Sequence, residues 1–140
     1  MATNLSKLSI NCSPEKLWEV VTLPAFVKLW QYGSELKTTW EVGSPIKFVT
    51  EWDNQVFEQW GTVLEFDPPR KLRYSLFAAG PGREDRPENY FEMSYILTPG
   101  NGHTMLEIVQ VDNRPNAVQE AEQGEENPVL KMLKEVAEQD

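Results

Sequence analysis

The alternation of apolar and polar positions predicts a chain built mainly from β-strands. Near the N-terminus, the segment from Leu5 to Asn11 places Leu8 and Ile10 on one side, as expected of a half-buried strand. From position 34 onward the apolar positions again recur at every second residue, and turn residues separate the alternating stretches PIKFVTEW, KLRYSLF, NYFEMSYIL and TMLEIVQVD. Short turns between consecutive strands predict an antiparallel meander of about six strands after the first one.

Two short helices are predicted between the first strand and this meander, in the stretch SPEKLWEVVTLPAFVKLW. Ser13 is a suitable N-cap and Pro14 fits the first helical position, where its missing N–H is not needed. Pro24 ends the first helix and begins the second. The apolar residues of the two helices recur at helical spacing, and they include Leu17, Val20, Val21, Phe26, Val27 and Trp30.

A third helix is predicted at the C-terminus. Asn127 caps it, Pro128 occupies its first position, and its apolar stripe consists of Val129, Leu130, Leu133, Val136 and Ala137. One face of the sheet is consistently apolar and must be covered. Because the first two helices have only about two turns each, we expect the third to lie across the sheet.

Composition and charge narrow the class of protein. The 140 residues suit one domain, 1–140, and 40% of them are hydrophobic, which indicates a globular chain. A formal net charge of −9 disfavours nucleic acid and anionic membrane surfaces as partners. With Cys12 as the single cysteine, with no apolar N-terminal leader and with no run of roughly 18 apolar residues, we expect a soluble, cytoplasmic protein.

Few residues suggest catalysis. His103 lies in the turn PGNGHT, and neither it nor Cys12 has partners at metal-ligand spacing. Glu51 and Glu58 flank the hairpin at Asp53, and the alternation places Glu51 on the outer face and Glu58 on the inner face with Trp60. We therefore expect no metal, no cofactor and no catalytic residue.

Several stretches resemble one known superfamily. They are the broken helix at 13–30, the segment WEVGSPIKF, the block GTVLEFDPPRKLRYSLF and the C-terminal LKMLKEVAE. Together they are similar to the SRPBCC (START-like, helix-grip) superfamily and to its activator-of-heat-shock-ATPase-homologue branch. The resemblance implies an α+β helix-grip fold, in which a curved antiparallel sheet of about seven strands (β-α-α-β6-α) wraps around a C-terminal helix and leaves a cavity between them. Asn127-Pro128-Val129 replaces the glycine-tryptophan pair that often opens the family's last helix.

The inward-facing positions of this fold are our candidate ligand-binding residues. They mix aromatic and aliphatic side chains with a few polar groups, as apolar ligand pockets do. The set consists of Phe48, Trp52, Trp60, Leu64, Tyr74, Phe91, Met93, Tyr95, Ile108, Gln110 and Leu133. We place the mouth where the Asp53-Asn54 turn, the loop 78–89 and the segment 112–124 meet at one end of the sheet.

Three functions remain open at this point. We favour a binding protein that holds a hydrophobic or aromatic small molecule between the sheet and the C-terminal helix, because the sequence offers a pocket without a catalytic constellation. The superfamily also contains polyketide cyclases and dehydratases, so an enzyme using the same cavity is the alternative. The narrower branch implies a regulator of a chaperone ATPase, which would have a chaperone as its partner, and a homodimer is also open.

Overall fold

The computed structural model describes residues 2–31, 33–80, 82–114 and 117–139, apart from the side chain of Trp52. Its elements follow the predicted order. They are β1 Ala2–Ile10, α1 Pro14–Thr22, α2 Pro24–Trp30, β2 Glu35–Thr38, β3 Pro45–Trp52, β4 Gln55–Asp67, β5 Lys71–Ala78, a single 3-10 turn at Pro87–Asn89, β6 Phe91–Pro99, β7 Thr104–Asp112 and α3 Pro128–Glu138.

The seven strands form one antiparallel sheet with the order β1-β7-β6-β5-β4-β3-β2. Strands β2 to β7 make the predicted meander, and β1 returns to pair with β7 along its whole length, from Ala2 opposite Asp112 to Ile10 opposite Thr104. The sheet is curved and does not close, so it has a concave and a convex face. The predicted α+β helix-grip architecture is confirmed.

The three helices begin at the predicted residues, and the first one ends before Pro24 as predicted. The Ser13 hydroxyl accepts a hydrogen bond from the Lys16 N–H at 3.1 Å, and the Asn127 side chain accepts one from the Val129 N–H at 2.9 Å. Pro24 is the first residue of α2 and directly follows Leu23, the C-cap residue of α1. Helix α3 packs against α1, α2 and β1 and thereby covers the concave face. Within the described residues, no helix is long and apolar enough to cross a membrane.

One end of the concave face, which we call the closed end, is filled by aromatic side chains. It lies where β4 ends and β5 begins. Trp18 from α1 packs on Phe66 with ring centroids 5.2 Å apart, and Trp40 stacks on the same ring at 5.4 Å. The indole N–H of Trp40 donates to the carbonyl of Thr22 at 2.9 Å. The two short helices therefore cover this end of the sheet.

A bulge divides β4 into two halves. Odd-numbered residues face the concave side before it and even-numbered residues after it. The register shifts between Val63, which pairs with Tyr74, and Glu65, which pairs with Arg73. Because side chains alternate along a strand, one extra residue reverses which positions face the core. Val63 is completely buried while Thr62 is exposed, the opposite of the predicted parity.

Gly61 lies just before this bulge, and its missing side chain is a geometric requirement. A Cβ atom there would lie 1.8 Å from the carbonyl oxygen of Ser75 on β5. The Ser75 hydroxyl also accepts a hydrogen bond from the N–H of Thr62 at 3.1 Å. The backbones of β4 and β5 thus approach so closely that only glycine fits between them.

The acidic segment before α3 runs along the outer edge of β1. The Lys7 N–H donates to the carbonyl of Gln123 at 2.9 Å, and the Gln123 N–H donates to the carbonyl of Leu5 at 3.0 Å. The Glu120 N–H donates to the side chain of Asn4 at 2.8 Å. Backbone groups of an uncovered edge strand can pair with other chains, so this segment protects β1 from such pairing.

Candidate ligand-binding site

A cavity of about 390 Å³ lies between the concave face and the helices, away from the closed end. We call this part of the concave face the open end. It is bounded by strands on both sides of the sheet, by the C-terminal end of α2 and by the first turn of α3. The cavity is lined by Ser6, Trp30, Gln31, Ser34, Thr50, Phe57, Gln59, Met93, Tyr95, Ile108, Asn127, Val129 and Leu130.

One side of the cavity carries hydrogen-bonding groups, and we call it the polar wall. It consists of Ser34, Thr50 and Gln59, which come from the entry to β2, from β3 and from β4. The Ser34 and Thr50 hydroxyl oxygens lie 2.6 Å apart, so one of them donates to the other. Ser34 is only 6% exposed, which makes this pair a fixed feature of the wall.

The opposite side is mainly apolar, and we call it the apolar wall, although Ser6 on β1, which pairs with Ile108, also lines the cavity there. The apolar wall consists of Met93 on β6, Ile108 on β7, and Val129 and Leu130 in the first turn of α3. Asn127 lines the cavity beside them, but its side chain already caps α3 and donates to Gln123 at 2.6 Å. The two walls therefore differ in what they can offer a ligand.

Tyr95 lies between the two walls and connects the cavity to the core. Its ring packs on that of Tyr74 at a centroid distance of 6.1 Å. Burial raises the pKa of both hydroxyls, and the neighbouring Tyr95 raises that of Tyr74 further. Both phenols are therefore neutral at physiological pH.

The structure separates the eleven predicted site residues into groups. Met93, Tyr95 and Ile108 line the cavity. Four others are buried in the hydrophobic core instead and are not among the lining residues: Phe48, Tyr74, Phe91 and Leu133. The side chain of Trp52 lies outside the described residues. Trp60, Leu64 and Gln110 are placed elsewhere.

The inward placement predicted for Trp60 and Glu58 is wrong, because both precede the bulge in β4. Trp60 lies on the convex face, where its ring packs on Phe77 at 5.5 Å. Its indole N–H donates to the Asp85 carboxylate at 2.9 Å, and the Tyr90 hydroxyl donates to the same carboxylate at 2.5 Å. Glu58 pairs with Lys47 at 3.4 Å. Trp60 therefore anchors the loop before β6 and does not line the cavity.

Leu64 and Gln110 also fall outside the cavity. Leu64 is the bulged residue and is half-buried, outside the core cluster. Gln110 lies in a surface cleft, where its carbonyl accepts a weak hydrogen bond from Asn4 at 3.5 Å. In the same cleft, the Arg114 guanidinium binds Asp112 at 2.6 Å and lowers the pKa of that carboxyl.

The loops of the predicted mouth do lie at one end of the sheet, but they line two surface clefts. One, of about 460 Å³, is lined in part by Asp112, Arg114 and Val118, and the other, of about 760 Å³, in part by Ala79, Gly80 and Arg83. The concave cavity includes neither loop. Phe57, which is 47% exposed, lies at its opening instead.

Sequence reasoning missed several lining residues. The alternation predicted Trp60 on the inner face, so Phe57 and Gln59 were left on the outer one. Gly61 is the signal that could have corrected this, because a glycine inside a strand indicates a bulge or a close backbone approach. The sequence places Trp30 on the apolar face of the second helix. It is buried there, its N–H donates to the carbonyl of Val20 at 2.8 Å, and its ring also lines the cavity.

The candidate catalytic groups lie away from the cavity. A ring nitrogen of His103 is 3.0 Å from the carbonyl oxygen of Asn101 in its own turn. Burial raises the pKa of the Cys12 thiol, which keeps it protonated and a poor nucleophile. Across the part of the chain that the structure describes, no group of three or more His, Cys, Asp or Glu side chains could hold a metal ion.

Comparison with known proteins identifies the family. The family model described as Activator of Hsp90 ATPase homolog 1-like protein matches residues 11–138. The chain belongs to this family. No curated protein matches the chain.

Solved structures with the same fold are similar to this chain. A protein from Cytophaga hutchinsonii is 31% identical with a TM-score of 0.70, covering 83% of this chain and 80% of that one. One from Chromobacterium violaceum is 21% identical with a TM-score of 0.77, covering 99% and 98%. An Hsp90 activator from Plasmodium falciparum is 16% identical with a TM-score of 0.64, covering 84% and 76%. The last two likenesses concern the fold alone.

Proposed function

We propose that this protein binds an apolar or aromatic small molecule in the cavity at the open end of the concave face. The observation that carries the proposal is the cavity itself, about 390 Å³ of space with an apolar wall and a polar wall. Ligand pockets combine a mainly apolar lining with a few placed polar groups in this way.

The contrast with the closed end supports a binding role for the cavity at the open end. Protein interiors are normally packed to the density of organic crystals. The closed end follows that rule, because Trp18, Trp40 and Phe66 fill it with ring contacts of 5.2 to 5.4 Å. A cavity large enough for a small organic molecule, beside that packed end and open to solvent at Phe57, favours a binding role.

The lining also favours binding over catalysis. Among the described lining residues there is no carboxylate, histidine, cysteine or lysine, the groups that most often act as general acids, bases or nucleophiles. The Tyr95 hydroxyl is present, but burial raises its pKa and keeps it from acting as a base. The cyclase or dehydratase alternative therefore finds no acid–base pair in the cavity.

The test is a cavity-filling substitution with a matched control. Native mass spectrometry of the freshly purified protein should show a co-purified small molecule, and calorimetry with a panel of naphthalene, flavonoid and fatty-alcohol compounds should find binders. Met93→Trp places a large ring in the cavity and should abolish binding. Met105→Trp makes the same exchange on β7, where Met105 lies outside the core and outside the cavity lining, and should leave binding unchanged.

Either of two results would contradict the proposal. One is the absence of any bound or titrated compound in the unaltered protein. The other is equal binding by Met93→Trp and the unaltered protein, with circular dichroism showing both folded. Binding that fails in both tryptophan variants would assign it to overall stability and not to the cavity.

Family membership supports a second candidate, the regulation of a chaperone ATPase. The match of the Activator of Hsp90 ATPase homolog 1-like model covers residues 11–138. The test is the ATPase rate of purified Hsp90 with and without this protein at low salt, where attraction between charged surfaces is strongest. Stimulation that persists in Met93→Trp would place the function on the surface, independent of the cavity.

A further inference from the structure

We infer that the ligand is uncharged and carries a hydrogen-bonding group, such as an amide, carbonyl or hydroxyl, at one end of an apolar body. The inference rests on the proposed function and names its ligand class. It predicts that carboxylates, including fatty acids, are selected against.

The first observation is the absence of charge from the cavity. None of the described lining residues is Asp, Glu, Lys, Arg or His. An ionised carboxylate that enters such a site gives up part of its hydration without gaining a counter-ion, which is unfavourable. This holds although the chain as a whole carries a formal net charge of −9.

The second observation is the separation of the two walls. Three polar lining residues, Ser34, Thr50 and Gln59, lie on the side of β2 to β4. Met93 and Ile108 lie on the side of β6 and β7, where Ser6 on the neighbouring β1 adds a single hydroxyl. A ligand that is polar at one end and apolar at the other can satisfy both walls in one orientation. A purely apolar ligand would leave the polar wall without partners, which is unfavourable.

The third observation is the hydrogen-bonding capacity that the polar wall retains. The contact between Ser34 and Thr50 uses one hydroxyl hydrogen and leaves the other, together with lone pairs on both oxygens. The Gln59 amide has no hydrogen-bond partner among the residues whose side chains are described. Gln59 can donate to and accept from a ligand amide or carbonyl at once.

The test compares three probes that share one ring system: 2-naphthamide, 2-naphthoate and naphthalene. At pH 7.5, calorimetry should show 2-naphthamide binding about tenfold or more tightly than 2-naphthoate, the difference expected when one polar group is desolvated without a partner. Naphthalene should fall between them, because it satisfies the apolar wall alone.

Two variants test whether the polar wall causes this preference. Gln59→Leu and Thr50→Val should each weaken 2-naphthamide about five- to tenfold and leave naphthalene unchanged or slightly stronger. Thr62→Val is the matched control for Thr50→Val, because Thr62 is exposed on β4 and outside the cavity lining. It should change the affinity for none of the three probes.

The outcomes separate this inference from the proposed function. If 2-naphthoate binds as tightly as 2-naphthamide, the inference about charge is wrong and binding in the cavity stands. If Gln59→Leu and Thr50→Val leave the preference for 2-naphthamide intact, the polar wall is not its origin and the inference is overturned. If no probe binds and no compound co-purifies, the proposed function fails and the inference fails with it.

Discussion

The closed and open ends of the concave face are built from the same residue types but are packed differently. At the closed end, Trp18, Trp40 and Phe66 come from three separate parts of the chain and fill the space between the helices and the sheet. At the open end, Trp30, Phe57 and Tyr95 surround about 390 Å³ without filling it. Aromatic content alone therefore does not distinguish a core from a pocket.

The difference arises from how each ring is held. Trp40 has a left-handed backbone, with φ of 63°, and this strained conformation is stabilised by its hydrogen bond to Thr22 and by its stacking on Phe66. Phe57, in contrast, lies on the first half of β4 near the hairpin and remains 47% exposed. The rings of the closed end are therefore fixed by packing, whereas Phe57 at the open end is not.

The largest expected effect concerns Leu133, which lies in α3 with none of its surface exposed. Leu133→Ala removes a buried side chain from the core and should lower the free energy of unfolding by about 2–5 kcal/mol, measured by urea denaturation. The adjacent Met132 is 44% exposed, so Met132→Ala should change it by less than about 0.5 kcal/mol.

The same experiment can contradict the assignment of Leu133 to the core. A Leu133→Ala protein with nearly unaltered stability but much weaker ligand binding would show that α3 contributes to the pocket at this position and not to the core.

A smaller effect is expected at Gly61, where β4 and β5 approach most closely. Gly61→Ala would place a Cβ atom 1.8 Å from the Ser75 carbonyl oxygen, so the strands must separate. We expect a loss of about 1–3 kcal/mol in the free energy of unfolding. Gly80→Ala is the control, since its Cβ would meet only the flexible Arg83 side chain at 3.5 Å. Equal stability of the two variants would show that the close approach at Gly61 does not constrain the sheet.

The parts of the fold that could be predicted from the sequence are those specified by local chemistry. Ser13, Pro24 and Asn127 act through neighbouring backbone groups, so their positions were sufficient to place the helix ends. Likewise, β6 and β7 pair without a bulge, and alternation placed Met93 and Ile108 correctly on the concave face.

The rest of the site depends on packing between distant parts of the chain. The bulge at Leu64 reversed the parity of half a strand, which exchanged Trp60 for Gln59 in the cavity. Whether an inward residue touches the cavity or the core depends on which side chains pack beside it. One of them, Trp40, comes from a segment between β2 and β3 with no periodicity. No pattern along the sequence carries that information.

The smallest effect is expected at Trp60, and it tests whether this side chain lies on the convex face, away from both ends of the concave face. Trp60→Phe keeps an aromatic ring against Phe77 but removes the N–H that donates to Asp85. Because Trp60 does not line the cavity, ligand affinity should be unchanged. The change should be confined to Asp85, whose carboxylate accepts from Tyr90 and from Trp60, two bonds that lower its pKa.

The sign of the pH effect follows from that lowered pKa. At pH values above the ordinary pKa of an aspartate, about 3.9, the two hydrogen bonds to Asp85 stabilise the loop before β6 fully. They are lost as the pH falls through the lower pKa that Asp85 has in the folded protein. In Trp60→Phe, the Asp85 carboxyl should therefore titrate at higher pH, as measured by the carboxyl carbon chemical shift in NMR. An unchanged Asp85 titration together with a weakened ligand affinity would show that Trp60 lines the cavity. The assignment of the convex face to Trp60, before the bulge in β4, would then be wrong.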